Sequence, residues 1–250
     1  MKNLTAEQLQ QNYTKLVSYI DKYVTGDRKT QLKKLYEEHA ERISTMPASG
    51  TEHYHNCFIG GYVDHVIRVI DGALAIKQVW ESFGSNINFT DEELVFAAIN
   101  HDLGKIGSEE HEMYIYNDSE WHRKNQGKVY KNNPANSFMT VPDRSLKLLA
   151  DRGIRVSENE WFGIKLHDGM YDESNKHYYI SYDVNSRLRT SLPYILHQAD
   201  QMAARVEYEA WQTTTPVLAK PRQKSNIQTT TSLSDNDKAD LVSVFNDLFK

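Results

Sequence analysis

The stretch Asn100-His101-Asp102-Leu103-Gly104-Lys105 closes an apolar run, Leu94-Val95-Phe96-Ala97-Ala98-Ile99, and its reading decides the fold. Thr90 and Glu93 precede the run in a capping-box pattern, which predicts a helix beginning there. That start gives the helix a register. His101 then falls three residues after Ala98 and four after Ala97, on the inward face. An imidazole and a carboxylate are both costly to bury without partners. A divalent cation would satisfy both. Gly104 lets the backbone turn sharply, and Lys105 lands just past the pair, where it would meet an anion. A lone His-Asp pair is more often a core histidine hydrogen-bonded to backbone, so the reading depends on the rest of the chain.

Upstream, Glu52-His53-Tyr54-His55-Asn56-Cys57-Phe58-Ile59-Gly60-Gly61 leads into a helix. Two glycines at a helix entrance permit close backbone approach. The helix carries Val63, Val66, Ile67, Ile70, Ala73 and Leu74 on one stripe, with His65 at its edge. His65 alone reads rather as a partly buried surface histidine. Further back, Thr5 and Gln8 form a capping box ahead of Leu9, Tyr13, Leu16 and Ile20, and Gly26 is expected to end that helix. A second helix is predicted over about 28–45, with Leu32, Leu35, Ala40 and Ile43 inward.

Downstream, residues 107–140 lose helical periodicity and become rich in Tyr, Asn, Lys, His and Glu. They read either as an ordered insertion with a short hairpin over the site, offering Trp121, His122, Arg123 and Lys124 to a substrate, or as an irregular surface loop. Pro142 suits the first turn of a helix with Leu146, Leu149 and Ala150, which Gly153 stops. Ser157 and Glu160 cap another, carrying Trp161, Ile164 and Lys165 to His167-Asp168-Gly169. Residues 171–185 form a tyrosine-rich connector. The clearest helical stripe follows: Leu192, Ile195, Leu196, Ala199, Met202, Ala203 and Val206, with Asp200 on its flank. An unpartnered carboxylate there is expensive and implies a cation or a basic partner. Residues 1–212 are thus expected to form one helical domain, and 213–250 a polar linker or loop with a short terminal helix.

The chain has 250 residues, enough to bury a sizeable core. Its net charge of −5 argues against bulk electrostatic binding of nucleic acid. The single cysteine, Cys57, allows no intrachain disulfide and suits a reducing compartment. No apolar run approaches the ~18 residues of a membrane span, and the N-terminus lacks an apolar signal region. A cytoplasmic protein is expected.

His65, His101, Asp102 and Asp200 now form a His/carboxylate set at the edges of apolar helical faces, the type that binds Mn, Fe, Mg, Co, Ni or Zn and leaves positions open for water. In order and type they resemble the motif residues of the HD-domain superfamily of metal-dependent phosphohydrolases. Gly60-Gly61-Tyr62-Val63-Asp64-His65 is similar to that family's entrance to its first histidine. His101-Asp102-Leu103-Gly104-Lys105 looks like its His-Asp-x-Gly-Lys, and His197-Gln198-Ala199-Asp200 like its closing Ala-Asp. The resemblance covers about 48–209.

It implies an all-α, HD-domain-like helical bundle with irregular polar insertions. The four residues would hold a divalent metal ion, with Lys105 and Arg144 neutralising phosphate oxygens. His167 matches a ligand of members with two metals, and it would either bind a second ion or act as general acid. Where another second-metal histidine is usual, this chain has Thr140-Val141-Pro142-Asp143-Arg144-Ser145, leaving Asp143, His111 or His122 as substitutes. Glu109 and Glu110 are further acid or base candidates. The implied activity is hydrolysis of a nucleotide or other small phosphate ester by metal-activated water. The alternative is a phosphodiesterase or nuclease acting on a cyclic nucleotide or nucleic-acid diester, weakly supported by Lys220-Pro221-Arg222-Gln223-Lys224. A third possibility is a non-catalytic binding module, which has no need of the complete ligand set.

Overall fold

The computed structural model describes residues 4–214, so the expected linker and terminal helix lie outside the described residues from 215 onward. The described chain is mostly helical. Helices α1 (Ala6–Tyr23), α2 (Gly26–Glu38), α3 (Ala40–Thr45), α4 (Gly61–Ser82) and α5 (Asp91–Asn100) come first, and a 3-10 turn, Leu103–Ile106, follows α5. Strands β1 (Tyr114–Tyr116) and β2 (Tyr130–Asn132) flank α6 (Glu120–Gln126). Then come α7 (Val141–Asp151), α8 (Glu158–Leu166), the one-turn α9 (Lys176–Tyr179) and the long α10 (Leu192–Thr214). No described helix is long and apolar enough to cross a membrane.

All three capping boxes form, at Thr5–Gln8, Thr90–Glu93 and Ser157–Glu160, fixing the registers of α1, α5 and α8. α4 packs on α10, α5 and α1, and α5 packs on α8 and α1. The core they share contains Leu16, Ile20, Val66, Ile70, Leu94, Ile99, Ile164 and Leu196. α5 is buried along its length after its first turn, as its unbroken apolar run requires.

Several expectations shift. The first helix stops at Tyr23, and Gly26 opens the second at φ +64° instead of ending the first. The predicted 28–45 helix breaks at His39, whose φ and ψ (−108° and 17°) leave the helical region. Tyr36, unexpected inside, is fully buried and donates its hydroxyl to the Ile99 carbonyl at 3.1 Å. On α7 the inward face is Pro142, Ser145, Leu148 and Leu149, while Ala150 is exposed. On α10, Met202 and Val206 are exposed, and Glu207 takes the next buried position after Ala203. The 107–140 insertion is ordered. β1 and β2 pair antiparallel, Ile115 opposite Lys131, and the hairpin docks onto residues 50–52 through Tyr130 N to Gly50 O (3.0 Å) and Glu52 N to Gly127 O (2.8 Å).

Two glycine sites are set by space. A Cβ on Gly61 would lie 2.0 Å from the Asn56 carbonyl oxygen, so only glycine lets α4 start against that loop. Gly104 serves for the same reason, and not for a sharp turn. Its Cβ would lie 2.2 Å from the Val141 carbonyl oxygen, and its N–H donates to Ser145 Oγ at 2.7 Å. α7 is thereby clamped over the turn that follows the His-Asp pair.

Candidate metal centre

Four helices deliver the site. α4 brings His65 and α10 brings Asp200, with His65 Nε2 3.1 Å from Asp200 Oδ1. α5 ends on His101, followed directly by Asp102. α8 ends in the same way on His167. Asp102 Oδ2 lies 3.7 Å from His65 Nε2 and 3.5 Å from His101 Nε2, and its Oδ1 lies 3.7 Å from His167 Nε2. Asp200 Oδ1 is 4.0 Å from His101 Nε2. Two overlapping groups, His65–His101–Asp102 and His101–His167–Asp200, each have their donor atoms within 4.8 Å of one another and can hold a metal ion.

The expected set of His65, His101, Asp102 and Asp200 is therefore brought together, and His167 joins it. Around an ion with bonds of about 2.1 Å, neighbouring ligand atoms lie roughly 3 Å apart and opposite ones roughly 4.2 Å. The spacing here matches that range.

The imidazoles are held in fixed orientations. His101 Nδ1 donates to the Ala98 carbonyl at 2.7 Å, and His167 Nδ1 to the Ile164 carbonyl at 2.8 Å. A carbonyl only accepts, so each Nδ1 carries hydrogen and, in the neutral ring, each Nε2 keeps a bare lone pair. His65 Nδ1 faces both carboxylate oxygens of Glu207 at 3.2 Å. Such outer partners orient metal-binding histidines and raise their basicity. The Nε2 atoms of His65 and His101 are buried and have no hydrogen-bond partner. The 3.1 Å approach of Asp200 Oδ1 to His65 Nε2 is a close contact without hydrogen-bond geometry. Orphaned, converging lone pairs of this kind are what a cation offsets.

The electrostatics agree. Burial pushes His65 toward its neutral form, but the Glu207 and Asp200 carboxylates outweigh it and raise its pKa to about 10. Without an ion, a proton supplies the missing positive charge. Burial lowers His101 to about 4, against the pull of Asp102. Burial would raise Asp102, yet Lys105 and the neighbouring histidines hold it well below the usual carboxylate range. Asp200 is held low in the same direction, chiefly by His65 against its own burial.

Lys105 is buried and its Nζ lies 2.5 Å from Asp102 Oδ2. It also lines a cleft of about 940 Å³ with His55, Tyr114, Asp168 and Tyr171. Other expected participants are not brought there. Arg144 donates to the Ser137 carbonyl at 2.7 Å and lines a separate cleft. Asp143 pairs with Lys165 at 2.6 Å. His122 is exposed and turns Nδ1 to Ser119, while His111 faces Glu110 in Arg144's cleft. Glu109 binds Arg152 and His39. Trp121, Arg123 and Lys124 do not line the cleft over the centre, to which the insertion contributes Tyr114.

Sequence reasoning missed Glu207, His55, Tyr114 and Asp168. Glu207 carried a usable signal, since it lies seven residues after Asp200 and so on nearly the same helical face. Comparison with family models, with curated proteins and with solved structures finds no match to this chain.

Proposed function

We propose that the protein is a metal-dependent phosphohydrolase of the HD-domain type, acting on a nucleotide or other small phosphate ester. The observation carrying this is the convergence of three oriented imidazole Nε2 atoms and two carboxylates below a cleft whose floor presents a buried ammonium. His65, His101, His167, Asp102 and Asp200 would hold the ion. Once bound, a divalent metal lowers the pKa of a coordinated water and polarises a phosphoryl oxygen.

The chain's own residues do the rest. Lys105 supplies a fixed positive charge at the cleft floor, aimed at charge on the phosphate oxygens. Its position beside Asp102 also keeps that carboxylate ionised and ready to ligate. Asp168, beside His167 at 3.7 Å, lines the same cleft and offers a carboxylate acceptor to a water entering it. Tyr114 and Tyr171 give the walls aromatic faces suited to a planar base.

Metal analysis of the purified protein, followed by turnover assays on nucleotides and on model diesters, tests the reading. Metal uptake with hydrolysis of monoesters is expected. Turnover confined to diesters would move it to the phosphodiesterase alternative, and no metal uptake would end it. Lys105→Ala is expected to keep its metal and lose about ten- to a hundredfold in kcat/KM, the value of one charge-assisted contact. Wild-type kinetics in that variant would remove Lys105 from substrate binding.

A further inference from the structure

His55 is used neither by the ligand set nor by the packing of the core. Its ring lies against that of His65, with centroids 4.8 Å apart and planes at 39°. Its Nε2 is shielded from solvent and has no hydrogen-bond partner. It lines the same cleft as Lys105, Tyr114 and Asp168. It is absent from both groups of converging donor atoms, so it stands beside the metal centre and outside it.

The loop that carries it is pinned. Ala48 N donates to Asn56 O at 3.2 Å, Tyr54 N to Thr51 O at 3.2 Å, and the hairpin is bonded to residues 50 and 52. An imidazole held in place at the wall of a cleft that also carries a lysine is complementary to an anion's oxygen.

We propose that His55 is a substrate-contacting residue, whose ring N–H donates to a non-bridging phosphoryl oxygen on the His65 side of the cleft while Lys105 meets the anion from the floor. The assignment rests on the phosphohydrolase reading above. It requires no change of protonation at His55, since the neutral ring donates through one nitrogen.

The test uses the full-length protein loaded with Mn²⁺ and titrated with inorganic phosphate in a calorimeter, with bound metal counted separately. His55→Phe keeps a ring against His65 and removes the donor. His55→Gln places an amide N–H near the same point. The phenylalanine variant is expected to retain wild-type metal content and bind phosphate about ten- to a hundredfold more weakly, as for loss of one hydrogen bond to a charged group. The glutamine variant is expected to recover most of that loss. Wild-type phosphate affinity in His55→Phe would overturn the proposal and leave His55 as packing. Loss of metal from either variant would also overturn it, making His55 a ligand. If wild-type protein takes up no Mn²⁺, or binds Mn²⁺ but not phosphate, the phosphohydrolase reading itself falls, and this inference with it.

Discussion

Helix α5 carries a buried polar cluster at each end, and the two are built on opposite rules. At its start, Arg28 binds Glu92 through Nη2 at 2.6 Å and Glu160 through Nη1 at 2.9 Å, with its guanidinium 4.6 Å from the Phe96 ring centroid. Thr25 adds its N–H and hydroxyl to Glu92, and the Ser157 N–H completes Glu160. The carboxylates and the guanidinium there all have partners. At the other end, His101 and Asp102 face His65, His167 and Asp200 with lone pairs pointed at one another and two ring nitrogens unanswered. Both clusters bear the desolvation cost of buried charge. The saturated one returns it as attachment of α2, α5 and α8. The unsaturated one leaves it without an equivalent return among the described side chains.

The strongest way to break this contrast is Asp102→Ala. It deletes a carboxylate that lies within 3.7 Å of all three imidazoles, so bound metal should fall below detection by elemental analysis. Helix content by circular dichroism should remain near wild type. A variant with full metal content would show that the open cluster is no receptor. Arg28→Ala attacks the other end. Removing the shared cation from a largely buried pair should cost about 3 kcal/mol in denaturant unfolding, at the low end for such sites because the arginine side chain keeps 20% exposure. That corresponds to roughly 6–12 °C in Tm for a chain of this size. Metal content should stay unchanged, and any loss would mean the two ends of α5 are energetically one site.

Glu207→Gln sharpens the comparison more gently. It keeps a hydrogen-bond acceptor at His65 Nδ1 but removes the charge, so metal affinity should fall about 10- to 100-fold with the fold intact. Competition against a chelator would measure it. The smallest effect is on pH. In metal-free protein the folded pKa of His65 is raised to about 10, above the unfolded value near 6.5. Its stabilisation is therefore complete below pH 6.5 and is lost as pH rises through 10. His167 is shifted in the same direction, by Asp168 and Asp102 against its burial. Chelator-treated protein should thus lose stability between pH 7 and 10, while metal-loaded protein, which needs those nitrogens deprotonated, should lose less. Parallel unfolding curves across that range would contradict the charge balance described here.

The residues that converge at the candidate centre were legible in sequence because each stands at a capped or strongly periodic helix end or face. Thr90 and Ser157 set registers that carry through to His101 and His167. The long stripe on α10 placed Asp200, although its exposed Met202 and Val206 show that apolar side chains continue past the buried face. What escaped the sequence is contributed by tertiary contact. His55 and Tyr114 come from segments without period, placed by a hairpin docking that no local pattern encodes. Arg144 failed for a related reason. Its helix is rotated so that Ser145 faces the turn after Asp102, which leaves the arginine pointing to the Ser137 carbonyl. His39 interrupts a helix whose periodicity ran on through it.

The pairing of Asp200 with Glu207 has a consequence for which changes this chain can tolerate. Seven steps of about 100° come within about 20° of two full turns, so one helix presents Asp200 and the carboxylate that holds His65 along a single line. Inserting or deleting one residue between them would swing Glu207 by about 100° and part it from His65. Substitutions at the exposed positions between them, such as Met202, Arg205 and Val206, leave that line undisturbed. Along α10, then, the chain should accept changes of letter far more readily than changes of length.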